Sequence, residues 1–145
     1  MAVIGLGLIG GSLLRALAGQ GHQVLGYDSD PATRALARTA AARARTGARW
    51  QVTGAVADAA KGADLVVLAV PLTAVATVLD ELAGMAYTGL VTDVTSVKGA
   101  VRDLVADRLT APPGRLAGFV GGHPMAGREM SGFAAGDSEL FTGAS

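Results

Sequence analysis

The sequence predicts a doubly wound α/β domain, a mainly parallel sheet with helices on both faces. Three observations carry this reading. Short apolar runs of strand length alternate with longer stretches of helical periodicity, the runs are apolar throughout, and a glycine triplet stands between the first run and the first helix. Strands buried on both faces need helices on both sides, and strands linked by helices pair in parallel.

Residues 2–6 form the first strand. Residues 12–19 form the first helix, where Leu13, Leu14, Leu17 and Ala18 recur at helical spacing. Residues 23–27 give a second strand that ends at Asp28, and Pro31 sits in the first turn of the alanine-rich helix that follows, where its missing N–H costs nothing. Residues 49–53 give a short third strand. Residues 64–70 form a continuous buried run closed by Pro71, followed by an apolar-periodic helix over 73–85. A strand at 90–94, a helix over 97–108, a turn at Ala111-Pro112-Pro113-Gly114 and a sixth strand at 116–120 continue the alternation. No repeat, linker or low-complexity tract interrupts it, so residues 1–145 read as one domain. With half its residues hydrophobic, the chain can bury a core.

Twelve basic residues balance twelve acidic ones, which leaves no electrostatic footprint for nucleic acid or an anionic membrane. The expected partner is a small molecule. The absence of cysteine excludes disulfides and thiolate chemistry, is compatible with a cytoplasmic protein, and leaves no thiolate metal site. Residues 2–18 are apolar enough to suggest a secretory signal, but they lack a basic start and Arg15 interrupts them. No uninterrupted apolar segment reaches the roughly 18 residues of a membrane span. The arginines of residues 32–49 read as helix composition rather than a binding patch.

Gly5, Gly7 and Gly10 form G-x-G-x-x-G at the junction of the first strand and the first helix. In a Rossmann-type fold these glycines give a tight turn, close approach of backbone to a pyrophosphate, and close packing of helix on strand. The free N–H groups at the helix start, around Leu8 and Ile9, then face the phosphates. A lone triplet in a chain of 21 glycines is a weak signal. Asp28 strengthens it, because it stands 18 residues after Gly10 at a strand end, close to the position of the acid that binds the adenosine ribose. The competing reading is a glycine-rich turn with a helix-capping aspartate. A carboxylate there repels a 2′-phosphate, so NAD is expected over NADP, and Arg34 is the nearby cation that could reverse this.

Three further segments lie at predicted strand ends: Val66-Val67-Leu68-Ala69-Val70-Pro71, Thr92-Asp93-Val94-Thr95-Ser96-Val97-Lys98-Gly99, and Gly121-Gly122-His123-Pro124-Met125-Ala126-Gly127-Arg128-Glu129, the last followed by Ser131-Gly132-Phe133 and Leu140-Phe141. With G-L-G-L-I-G-G-S and G-Y-D ahead of them, this ordered set resembles the nucleotide domain of the prephenate and arogenate dehydrogenases. The match runs from end to end apart from the helix around residues 34–49.

The resemblance implies an oxidative decarboxylation, with hydride passing to NAD from the carbon bearing the ring hydroxyl and the ring carboxylate leaving as carbon dioxide. It assigns His123 as the acceptor of the hydroxyl proton, a role suited to an imidazole that titrates near neutrality. Ser96 would orient the network between histidine, substrate and nicotinamide, and Val70 and Pro71 would line the cofactor. Glu129 would help shape the substrate pocket, or else pair with Arg128 or Arg115. Lys98 stays open between a solvated cation and a ligand. His22 reads as a surface residue and Trp50 as packing.

Members of this family continue into a helical domain absent from the 145 residues. By the resemblance, that domain supplies the homodimer interface and the cations that clamp the substrate carboxylates. The chain alone is then expected to bind NAD weakly, to turn over prephenate poorly, and to self-associate through exposed apolar surface. Whether the substrate is prephenate or arogenate stays open. Two other readings compete: a different NAD-dependent dehydrogenase of the 3-hydroxyacid or 6-phosphogluconate type, and a dinucleotide-binding module without chemistry.

Overall fold

The structure is a computed structural model that describes residues 1–110, 116–126 and 129–143. The turn expected at 111–114, the residues Arg115, Gly127 and Arg128, and the last two positions lie outside the described residues.

The elements follow in the order β1 (Ala2–Ile4), α1 (Leu8–Gly19), β2 (Leu25–Tyr27), α2 (Pro31–Arg43), β3 (Gln51–Val52), α3 (Val56–Ala60), β4 (Leu65–Leu68), α4 (Leu72–Gly84), β5 (Leu90–Asp93), α5 (Lys98–Leu109) and β6 (Gly118–Gly121), with a short 3-10 turn at Phe133–Ala135. The sheet runs β3-β2-β1-β4-β5-β6 and every strand pairing in it is parallel. The expected doubly wound architecture is present, and its sheet is wholly rather than mainly parallel. Three local differences stand out. Helix α1 begins at Leu8 instead of residue 12, so Gly10 and Gly11 lie inside it. Helix α3 was not anticipated, because five residues are too few to show a period. The strands are shorter than the apolar runs, since Ala69 and Val70 leave β4 to line the loop beyond it.

Side chains alternate across the sheet and divide the core in two. Ala2, Ile4, Val66 and Leu68 face one side, where they meet Val75, Leu79 and Leu82 of α4 and Val101, Val105 and Leu109 of α5. Val3 and Val67 face the other, against Leu14 and Ala18 of α1, Ala37 of α2, and Trp50. The spacing of the buried α4 and α5 residues is that of a single helical stripe. Helix α2 is capped by Asp30, whose side chain accepts the N–H groups of Ala32 (3.2 Å) and Thr33 (3.1 Å). The Thr33 hydroxyl and these N–H groups together hold the Asp30 carboxyl below its ordinary range.

After β6, at the sheet edge, the chain returns to the α1 side. There Phe133 is buried edge-on to Trp50, ring centroids 6.4 Å apart. The Trp50 indole N–H donates to the Ala37 carbonyl at 3.1 Å, so this tryptophan packs as expected. Arg15 donates to the Phe133 carbonyl at 3.1 Å and stacks over its ring, and the Ser12 hydroxyl accepts the Asp137 N–H at 2.9 Å. Residues 133–137 are thereby strapped onto α1.

At the opposite end of the strands Tyr87 is buried, and its hydroxyl donates to the carbonyls of Ala63 (2.9 Å) and Leu90 (3.2 Å). Burial, and secondarily the charge of Asp64, push this phenol up to about 12. Its stabilising contribution is complete below the ordinary tyrosine value of about 10 and is lost as pH rises towards 12, because over that window only the unfolded chain gives up its proton. Urea titrations at rising alkaline pH will show a steeper loss of stability for the natural chain than for Tyr87→Phe.

Candidate functional site

The strand order reverses between β1 and β4, and loops leaving this point diverge to open a crevice at the strand carboxyl ends. A cleft of about 710 Å³ occupies it. Of the residues expected at a cofactor site, Gly5, Gly7, Leu8, Ile9, Asp28, Val70 and Pro71 all line this cleft. Tyr27, Thr95, Ser131 and Gly132 line it as well, and sequence reasoning had assigned none of them there.

The three glycines divide their work. Gly5 has a left-handed φ of +95°, and a Cβ on it would stand 2.3 Å from the Ala69 carbonyl oxygen. A Cβ on Gly10 would stand 1.8 Å from the Gly5 oxygen. These two let α1 start in contact with the ends of β1 and β4, and Gly10 acts by that packing without lining the cleft. Gly7 differs, because a Cβ there would meet nothing within 4 Å. It is the N-cap of α1, no side chain caps the helix, and its first turn holds no acid. Open backbone at Gly7 beside uncapped N–H groups and a positive helix end is a cradle suited to a phosphate anion.

Asp28 closes the far side of this cradle. One of its carboxylate oxygens accepts the Leu6 N–H at 2.8 Å and the other accepts the Asp30 N–H at 2.9 Å, which fixes the group between the glycine turn and the end of β2. The cap of α2 is Asp30, so Asp28 is not the capping aspartate of the competing reading. Arg34 donates to the backbone carbonyls of Asp28 (2.6 Å) and Ser29 (3.1 Å) and lies over the Tyr27 ring. The residue that could reverse the cofactor preference is already engaged with backbone.

Ser96 and His123 follow neighbouring strands, β5 and β6, which pair through Asp93 and Gly121 at their carboxyl ends. Both are exposed, and neither lines the 710 Å³ cleft, although Thr95 next to Ser96 does. Glu129 is also exposed and outside that lining, and the two arginines considered as its partners lie outside the described residues. Lys98, left open between a solvated cation and a ligand contact, is half-buried and held by a protein carboxylate. Its Nζ contacts Asp93 at 2.7 Å and donates to the Gly122 carbonyl. Asp93 is fully buried and was not singled out, although its place in D-x-x-S-V-K was visible. His22 is exposed, as expected. Among the described residues no group of three His, Asp or Glu is placed to hold a metal, and no helix is long and apolar enough to cross a membrane.

The crevice at the switch point, the bare glycine turn and the strand-end acid define a dinucleotide-binding domain of the dehydrogenase type. The family model for the prephenate dehydrogenase nucleotide-binding domain matches residues 11–145. Over 144 residues the chain is 37% identical to the prephenate dehydrogenase of Bacillus subtilis, a match covering 97% of the chain and 36% of that protein. The arogenate dehydrogenase of Synechocystis superposes with a TM-score of 0.79 at 29% identity, over 99% of this chain and 47% of that one. A prephenate dehydrogenase from Aquifex aeolicus, solved with hydroxyphenyl propionate and NAD+, superposes at 0.71 with 25% identity, over 99% and 47%. The chain belongs to the prephenate dehydrogenase family, in which it corresponds to the nucleotide-binding domain. It spans less than half the length of these relatives.

The glycine geometry separates folding from binding. Gly7→Ala is expected to melt close to the natural chain yet to lose roughly tenfold in affinity for a nicotinamide dinucleotide, about 1.4 kcal/mol. Gly5→Ala is expected to lose thermal stability outright. Paired thermal melts and calorimetric titrations check both.

Proposed function

We propose that this chain is the NAD-binding half of an enzyme that oxidatively decarboxylates prephenate, or arogenate, to the corresponding 4-hydroxyphenyl product. The observation that carries the reading is spatial: the segments bearing Ser96 and His123 leave paired strands at the same sheet edge that holds the glycine turn and Asp28. When bound, NAD+ would supply the hydride acceptor. Backbone N–H groups at Leu8 and Ile9 would hold its pyrophosphate, and Asp28 would hold the adenosine ribose through the lone pairs its two backbone contacts leave free. Val70 and Pro71 line the cleft with an apolar wall that would exclude water beside the nicotinamide. Preference for NAD over NADP follows from the Asp28 charge and from Arg34 being tied to backbone carbonyls.

His123 accepts the proton of the ring hydroxyl as carbonyl character develops on that carbon. The carbon gives up hydride with its electron pair, the bond to the ring carboxylate breaks, and its electrons enter the ring to make it aromatic. The proton held on His123 returns to the phenolic oxygen. Ser96 orients the hydroxyl and the imidazole, and Glu129 shapes the substrate side of the pocket. The cations that grip the substrate carboxylates, and the homodimer contacts, we assign to the length of the relatives that this chain does not span.

The complete gene product, given NAD+ and prephenate, is expected to form NADH and carbon dioxide in equal amounts, and arogenate and NADP+ tested in parallel define its preference. His123→Asn should lower kcat by roughly 10²- to 10⁴-fold with dinucleotide affinity retained. Full activity in that variant overturns the assignment. The 145 residues alone should bind the dinucleotide and show little turnover, and near-normal rates from them would contradict the division of labour.

A further inference from the structure

The carboxyl ends of β5 and β6 are joined by a side-chain clamp. Asp93, the last residue of β5, is fully buried, and one carboxylate oxygen accepts the Thr95 N–H at 3.1 Å, the Thr95 hydroxyl and the Lys98 ammonium at 2.7 Å. Its other oxygen has no hydrogen-bond partner among the described residues. Lys98 is the counter-charge in contact with it. The same ammonium donates to the Gly122 carbonyl, and the Gly122 N–H donates to the Asp93 carbonyl at 3.0 Å. Both backbone polar groups of Gly122 are therefore tied to one pair of residues.

The position of Lys98 is costly by local rules. It is the first residue of α5, where the helix dipole repels a cation, and no acid in the first turn of α5 offsets this. A buried carboxylate also loses hydration, and such pairs add little net stability relative to apolar packing. What the arrangement secures is geometry. Glycine is the most permissive residue of the backbone, yet a Cβ on Gly122 would stand 2.8 Å from the Asp93 carbonyl oxygen, so only glycine fits this approach. The Gly122 carbonyl and the His123 N–H share one planar peptide unit, so fixing the first fixes the second.

We propose that Lys98 and Asp93 are positioning residues that set the Gly122–His123 peptide plane and thereby present His123 to the substrate. The presentation rests on the proton-acceptor role given to His123 above; the clamp does not. Lys98 acts through the carbonyl it holds and touches neither substrate nor cofactor.

The sequence makes the clamp measurable without any substrate. The chain has two histidines and no cysteine, so His22 serves as an internal control and a thiol placed at position 98 is unique. In the 145-residue chain, Lys98→Met is expected to lower the backbone order parameter at residues 122 and 123 from about 0.85 to below about 0.6 and to move the His123 imidazole resonances, while those of His22 stay in place. Lys98→Cys alkylated with 2-bromoethylamine, which restores an ammonium at nearly the same reach, should recover both signals. If Lys98→Met alone fails to fold, Asp93→Asn combined with Lys98→Met removes the uncompensated charge and is read in the same way. A variant that melts earlier but leaves the order parameters and His123 resonances unchanged shows a merely structural pair and overturns the proposal. In the complete gene product Lys98→Met should lower kcat roughly tenfold with the KM for the dinucleotide little changed. Absence of turnover of both prephenate and arogenate in the natural protein would instead remove the proposed function and leave the clamp decided by the spectra.

Discussion

The contact of Gly10 with the Gly5 carbonyl, and of Gly5 with the Ala69 carbonyl, is the constraint from which the rest of the site follows. With no side chains between them, helix α1 starts directly at the ends of β1 and β4. The buried Leu6 is drawn into the core beneath the turn, and its N–H is turned across to Asp28. Backbone donors at a helix start require partners. Because α1 lacks a capping side chain, the same packing that builds the domain leaves these donors open to water or to an anion entering the cleft.

The two halves of the fold then treat an aspartate at a strand end in parallel ways. Asp28 after β2 and Asp93 at the end of β5 each accept the N–H of the residue two positions on, Asp30 and Thr95. This is the local turn that aspartate makes readily. What differs is the second partner. Asp28 reaches a backbone N–H and stands at the cleft wall, whereas Asp93 is buried and answered by Lys98. One local motif stands at the cleft wall in the first half and in a buried ion pair in the second.

Spacing made the first half legible. Gly5, Gly7, Asp28, Val70 and Pro71 fall where strand-end geometry puts ligand contacts, and they share one cleft. The start of α1 was misplaced because glycine is a poor helix former, and here tertiary contact overrides propensity. The helix-capping role that competed with ribose binding for Asp28 belongs to Asp30, two residues on. The partnership of Lys98 with Gly122 could not be read from composition, since it joins residues 24 apart through a strand pairing. Ser131 and Gly132 were quoted only as part of a motif, and their place on the cleft wall depends on the chain crossing back over the sheet.

That crossing has a consequence for how the domain is made. Arg15 holds the Phe133 carbonyl across 118 positions of sequence, and Ser12 holds the Asp137 N–H across 125. Within this domain the glycine turn and α1 are translated before the wall carrying Ser131 and Gly132, which cannot close over them until residues 129–143 have emerged. Contacts this distant in sequence form late and slowly. The cleft at the switch point is therefore among the last features of the domain to be completed, although its glycine turn is translated more than a hundred residues before its far wall.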